Sequence, residues 1–364
     1  MLKKIKEYKK KSKRVIDSFI DKSEYLESGG YIIDTEFKYL YRNEQDTSEF
    51  MNKVLKLNNY NLSSKASLKK EFKKFLLPRN LRVINETEDK DFSGSIFLLS
   101  NDNSDQKDVK IFDIKKNKVL TVYVRLDSLN KKIANNNYFS PYFNIPEIIS
   151  YDLDKKISVE ELIISKPKAI WNEMDYSNVI KEIFSSYKKY YEVVGKSQVY
   201  SCSNSSNMLL ELKKDNIIKK LAVRIEKEIS QCMIDKDIPM VNQHGDLWLY
   251  NTMLCENGNI YFIDWEHSGK YFLFFDLFWW MQNEAIYNSD MSYVSGFLSG
   301  SYDDHFYKLF SLLDYNYIKE HRKDYFLIFI IELLYKRYLN NTEDLKKVSV
   351  EIYSTLLDKL VFRD

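Results

Sequence analysis

A change of pattern near residue 165 constrains this chain more than any other feature. From 81 to 165 the sequence runs in short β-rich pieces, "LRVIN", "GSIFLLS", "DVKIFDI", "KVLTVYV", "PEIISYD" and "ISVEELIIS", with Asn, Asp, Gly and Ser in the turns. "KKNK" joins two of them tightly enough for a hairpin, and only the polar stretch "DSLNKKIANNNYFSPYF" reads as a helix. From about 170 helical periods dominate, as in "NVIKEIFSSYKKYYEVV" and "DNIIKKLAVRIEKEIS". Residues 1–80 mix basic runs with apolar residues at helix-like spacing, for example "SLKKEFKKFLL", which ends at Pro78. The expected division is therefore a helical basic segment over 1–80, a small α+β unit over 81–165, and a larger helical part over 166–364. A length of 364 residues, at roughly 150 per domain, agrees with two or three lobes.

Bulk numbers remove several function classes. Fifty-five basic and 53 acidic residues nearly cancel to +2, so no nucleic-acid partner is required by charge, and any basic surface must be local. Cys202, Cys232 and Cys255 are odd in number and lack CxxC or Cys/His spacing, which argues against a disulfide framework or zinc site and fits a reducing cytoplasm. The N-terminus is basic without the apolar run of a signal peptide, and "YFLIFIIELLY" is too short to span a bilayer. A cytoplasmic protein without a transmembrane segment is the expectation. Its lysine-rich helical faces read first as solvated surfaces and are compatible with peripheral contact to an anionic layer.

The chemistry concentrates in "VNQHGDLWLYNTMLCENGNIYFIDWEHSG", residues 241–269. Asp246 and Asn251 stand five apart where there is no room for a long helix between Pro239 and the strand-like "IYFID". Asp264 ends that strand, where its carboxylate would emerge beside the loop. Two carboxylates and an amide oxygen are what Mg²⁺ and phosphoryl transfer require, with one carboxylate free to orient the attacking hydroxyl. Singly, each residue reads first as a turn or cap residue, and His244 as a satisfied core histidine.

"HGDLWLYN" followed by "IDWE" resembles the catalytic and metal motifs of the aminoglycoside phosphotransferase and choline kinase superfamily, relatives of the protein kinases; the "HGDLW" words are also similar to those of fructosamine kinases. The resemblance implies an α+β, protein-kinase-like two-lobed fold, with a β-rich nucleotide-binding N-lobe, a helical C-lobe and the N-terminal segment as an extra. It implies Asp246 as catalytic base, His244 as a buttress, Asn251 and Asp264 as Mg²⁺ ligands, and Glu266 as an aid to a second metal. The donor would be ATP or GTP, and the acceptor a hydroxyl of a small molecule. Asp276, in "FFDLFWW", falls where the family often shows "DLA", and we read it as structural.

Two registers compete for the phosphate loop. One sets it in "FSGS" around Gly94, with Lys110 on the lysine strand. The other sets it at 101–108, Ser104 included, with "KVLTVYV" as the third strand and "DSLNKKIANNNYF" after it as the αC-like helix. The second suits the order of elements, yet it puts Thr121 or a neighbour where the lysine belongs, and that helix has no glutamate. Lys110, Lys118 and Arg125 are the candidate substitutes. "ISVEELIIS" would end in the hinge, whose backbone from Glu161 to Ile163 receives adenine. The acceptor would be lined by residues after 266; the aromatic runs "KYFLFFDLFWW" and "YNYIKEHRKDYF" read as core before they read as a cage. A sugar or amino alcohol is favoured, with an antibiotic kinase and a binding scaffold of the same fold as alternatives.

Overall fold

The computed structural model describes residues 2–33, 39–51, 81–85, 91–99 and 108–361. It divides into two compact units, Met1–Ser177 with Met253–Ile263, and Asn178–Thr252 with Asp264–Asp364. The candidate loop at 101–107, Ser104 with it, and "SLKKEFKKFLL" lie outside the described residues.

Among the described residues, the first unit is built on an antiparallel sheet of eight strands: β1 Gly29–Ile33, β2 Tyr39–Arg42, β3 Leu81–Val83, β4 Ile96–Leu99, β5 Val109–Asp113, β6 Lys118–Val122, β7 Ile148–Asp152 and β8 Ile157–Glu161, in the order β3-β1-β2-β4-β5-β6-β8-β7. Every piece read as a strand over 81–165 is one, and the αC-like stretch is the helix Leu126–Phe139. The β5–β6 turn forms as "KKNK" demands, with Asn117 left-handed at φ 53° and Asp113 Oδ1 accepting the Lys116 N–H at 3.0 Å.

Residues 1–80 are not helical throughout. The helix Leu2–Asp21 is present, but β1 and β2 join the sheet. Gly29 and Gly30 interrupt helix propagation, and "YII" and "YLY" are β-branched and aromatic. Tyr31 and Leu40 are fully buried in the sheet core, which outweighs any helical spacing in these runs. Phe19 of the helix packs edge-on against Tyr31 at 5.1 Å and Phe97 at 5.4 Å. Burial of a side chain of this size contributes roughly 1.5–3 kcal/mol, enough to seat the helix. Lys9, Lys10 and Lys13 are left on its solvated face.

Strand alternation sorts the sheet into two faces. Phe97, Val109, Ile111, Leu120, Val122 and Val159 share a core with Val15 and Phe19 of the helix. The other face carries Ile96 and Phe112, packed with Tyr39, Phe50 and Leu162. Register puts Lys110, Thr121, Ser158 and Glu160 on that second face too, because Lys110 pairs with Thr121, Thr121 with Ser158, and Val119 with Glu160.

Gly94 cannot serve as a phosphate loop. Its N–H donates to Tyr25 O, its carbonyl accepts from the Glu27 N–H and the Tyr31 hydroxyl, and a Cβ would lie 2.1 Å from Ile111 Cγ2. It is a packing glycine that docks the segment after the first helix. Of the two registers, only the one with a loop between β4 and β5 matches the order of elements.

The second unit is mainly helical, around a three-stranded sheet of β9 Ser201–Ser203, β10 Ile238–Gln243 and β13 Gly269–Phe272, ordered β13-β10-β9. The aromatic runs are core: Phe275, Phe278 and Trp280 of the helix Phe275–Tyr287 and Tyr325, Phe326 and Phe329 of the helix Arg322–Leu333 are fully buried. Phe278 alone meets Phe297, Phe306, Phe326 and Phe329 at 4.7–5.7 Å. Among the described residues, no helix is long and apolar enough to cross a membrane.

Candidate active site

β10 ends at Gln243 and the chain turns at once into "HGDLWLYN". Gly245 makes that turn at φ 78°, where a Cβ would stand 2.3 Å from the His267 carbonyl oxygen, so both the left-handed backbone and the close approach demand glycine. Asp276 clamps the turn from the first turn of the helix Phe275–Tyr287. Its carboxylate accepts the N–H of His244 at 2.7 Å and of Gly245 at 2.9 Å, together with the Tyr187 hydroxyl. Gln243 Oε1 in turn accepts the Asp276 N–H at 3.0 Å. Burial raises the Asp276 carboxyl to about 6, while the Tyr187 hydroxyl and the loop N–H groups pull it down by stabilising the anion. Through these bonds Asp276, which we read as structural, holds the loop backbone.

His244 is fully buried, with its ring 4.5 Å from that of Trp265, and Nδ1 accepts the Asp246 N–H at 3.2 Å. It touches the backbone of Asp246 and supports the loop from behind. Asn251 donates through Nδ2 to the Asp246 carbonyl at 2.8 Å and to Asp246 Oδ2 at 3.1 Å. The amide nitrogen is thereby committed to Asp246, and the amide oxygen is the atom left for a cation.

Asp264 follows β12 Ile260–Phe262, the partner of β11 Thr252–Leu254, and takes the left-handed conformation, φ 62° and ψ 52°, that Asp tolerates better than most residues. The turn it makes brings Trp265 against His244. Asp246 lies close enough to Asp264 and Glu266 to feel both as like charges. Burial is the main reason its carboxyl rises to about 6; Arg337 and the Asn251 amide lower it, and Asp264 and Glu266 add to the rise. Glu266 itself is 78% exposed and 3.6 Å from His267 Nε2.

Arg337 was not legible in the sequence. It stands in a π-helical stretch, Leu334–Tyr338, donates to the Gly245 carbonyl, lies 5.0 Å above the Trp279 ring and comes within 3.9 Å of Asp246 Oδ1. π-Helical turns recur at functional sites, but nothing in "LLYKRYLN" announces one. Because the guanidinium favours the ionised Asp246, Arg337→Met is expected to shift the acidic limb of a kcat/KM–pH profile to higher pH, with activity partly recovered at alkaline pH. A limb that does not move would show that Arg337 leaves Asp246 untouched.

In the first unit, at the expected hinge, the N–H groups of Glu161 and Leu162 donate to Glu147 O at 3.0 Å and Asn117 O at 2.9 Å, and Ile163 follows, buried. Of the candidate lysine substitutes, Lys118 lies on the face covered by the first helix and donates to Asp91 O at 3.1 Å. Arg125 is 73% exposed beside Asp127. Lys110 shares its face with Thr121. A Lys–Glu pair that sequence reasoning did not anticipate joins the αC-like helix to the sheet: Lys132 Nζ is 2.6 Å from Glu160 Oε2.

Residues 209–310, which hold the whole of this loop, Asp264 and Asp276, match the model of the APH phosphotransferase enzyme family. The resemblance carried by "HGDLWLYN" and "IDWE" agrees with that family model over this segment, which is less than a third of the chain. Among solved structures, the chain is similar to a thermostable aminoglycoside phosphotransferase in ternary complex with AMP-PNP and hygromycin B (13% identity, TM-score 0.49, 74% of this chain and 95% of that one). It is also similar to an amicoumacin kinase in complex with AMP-PNP and Ca²⁺ (15%, 0.41, 72% and 88%) and to a choline kinase from Streptococcus pneumoniae (15%, 0.37, 82% and 99%). No curated protein matches the sequence. At such identities and scores these structures carry no argument about function, and the family match is confined to residues 209–310.

Proposed function

We propose that this protein transfers the γ-phosphate of ATP or GTP to a hydroxyl of a small molecule, with Asp246 as the base that orients and deprotonates that hydroxyl. The observation that carries the reading is the setting of Asp246: a half-buried carboxylate, hydrogen-bonded to Asn251, on a loop fixed by Asp276 and His244. A group with a pKa near 6 is ionised at neutral pH and still basic enough to take a proton as the oxygen–phosphorus bond forms.

The donor set suits a hard divalent cation. Asn251 has its amide oxygen to offer, Asp264 its carboxylate, and the like-charge repulsion among Asp246, Asp264 and Glu266 is what a cation would relieve. Asn251 and Asp264 would hold Mg²⁺, with Glu266 as a further ligand from its exposed position. Bound there, Mg²⁺ would neutralise charge on the β- and γ-phosphates. We assign nucleotide contacts to Lys110, to Ser104 and to the hinge backbone at Glu161 and Ile163.

For the acceptor, the rings that follow Asp246 in the chain matter more than the buried aromatic runs. Trp248 lies 4.7 Å from Tyr250 and 5.8 Å from Tyr287, which is 66% exposed. Such rings suit the face of a sugar or the cation of an amino alcohol, at roughly 0.5–2 kcal/mol per cation–π contact. ADP release measured over a panel of sugars, amino alcohols and aminoglycosides tests the reading. Stimulation by one of the first two classes is expected; stimulation by aminoglycosides alone would reassign the acceptor, and none at all would favour a binding scaffold.

A further inference from the structure

The β6 strand offers Thr121 where a kinase-like sheet would present its phosphate lysine, and Thr121 is buried between Lys110 and Ser158. The helix Leu126–Phe139 offers no glutamate. Yet the face of the sheet that bears Thr121 does carry a Lys–Glu ion pair, with the two residue types exchanged between elements. Lys132 comes from the middle of the helix and Glu160 from the penultimate position of β8, immediately before the hinge. Both side chains are largely withdrawn from solvent, at 21% and 13% exposed.

The carboxylate is held from its other side. Ser158 Oγ donates to Glu160 Oε1 at 3.2 Å, and the Tyr123 hydroxyl lies 3.2 Å from Ser158 Oγ. Glu160 is therefore fixed in orientation, and it fixes Lys132 by one charge-assisted bond of 2.6 Å. An ammonium has three donors, so an ion pair of this kind holds the lysine in place with donors to spare for phosphate oxygens. This division of labour is the one a strand lysine and helix glutamate perform in kinase-like folds, and it works with the partners swapped.

Resting on the phosphotransferase reading above, we propose that Lys132, positioned by Glu160, is the cation that holds the α- and β-phosphates of the nucleotide in this protein. Lys118 and Arg125 are excluded by where their side chains go, and Lys110 acts beside Lys132 from the end of the sheet nearer the β4–β5 connection.

Calorimetric titration of the full chain with Mg·ATP and with adenosine separates this role from mere anchoring of the helix. Lys132→Met is expected to weaken Mg·ATP at least tenfold and to leave adenosine unchanged, Lys132→Arg to recover most of the loss, and the exposed neighbour Lys131→Met to behave as wild type. If Lys132→Met does not fold, the near-isosteric Glu160→Gln carries the same test, with a severalfold selective loss for Mg·ATP. Equal weakening of both ligands, or no weakening of Mg·ATP, would overturn the role of Lys132 while leaving the phosphotransferase reading in place. If wild type binds only the guanine nucleotide, the same variants are read with Mg·GTP and guanosine; a wild-type protein that binds neither Mg·ATP nor Mg·GTP would overturn both.

Discussion

Asp246→Asn is expected to lower kcat by about 10²- to 10⁴-fold, the range typical of removing a positioned general base. The protein should stay folded, because the amide keeps the shape of the carboxyl and can still accept the Asn251 amide hydrogen now received by Oδ2 at 3.1 Å. Stability is predicted to move in a particular direction with pH. The Asp246 carboxyl rises from 3.8 to about 6 on folding, so between about pH 4 and 6 the folded state binds more protons than the unfolded one. Stability from this group then falls as pH rises through that window, and the cost of burying the charge is present in full above it. Asparagine carries no such cost. Thermal melts in the presence of a chelator should therefore show Asp246→Asn at least as stable as wild type at pH 8, with the advantage shrinking toward pH 4. Wild-type turnover in Asp246→Asn would remove Asp246 from the chemistry; a large drop in melting temperature at pH 8 would make it a structural residue.

Asp276→Ala should be the most damaging single change to the fold of the second unit. It strips partners from the N–H groups of His244 and Gly245 and from the Tyr187 hydroxyl at once, all buried. Unpaired buried donors cost about 1–3 kcal/mol each, not additively, so a loss of about 3–5 kcal/mol is expected. For a unit of this size that is a fall of about 10 °C in melting temperature. Asp276→Asn offers one acceptor oxygen where the carboxylate has two, and should fall between wild type and alanine in both stability and kcat. The Mg²⁺ concentration needed for half-maximal activity in Asp276→Asn should stay near that of wild type, because Asp276 acts through the loop backbone. A strong rise in that concentration would instead make Asp276 a metal ligand.

The contrast between these two residues shows what a sequence can disclose. Asp246, Asn251 and Asp264 lie within one short stretch whose loop-and-strand setting is encoded locally, so they could be proposed together from spacing. The strands from 81 to 165 were legible for the same reason, since alternation and turn residues sit side by side. Asp276 was visible as a residue but not as a clamp, because its partners His244 and Tyr187 lie 32 and 89 residues away. Arg337 reaches Gly245 across 92 residues from a π-helical turn with no sequence signature. β1 and β2 escaped notice because the lysines and apolar spacing around them favour a helix, and only burial of Tyr31 and Leu40 in the sheet decides otherwise. The sequence left the replacement for the strand lysine open among Lys110, Lys118 and Arg125. The pair we propose for that role could not be found from sequence, because Lys132 and Glu160 meet only once the helix has packed on the sheet.

Titration of wild type and Asp264→Ala with ATP and GTP, each with Mg²⁺ and with chelator, tests the central claim most directly. Wild type is expected to bind at least one nucleotide more tightly with Mg²⁺ than without, and Asp264→Ala to lose that Mg²⁺ dependence while keeping the metal-free affinity. Wild type that binds neither nucleotide under either condition, or Asp264→Ala with undiminished Mg²⁺ dependence, would contradict it.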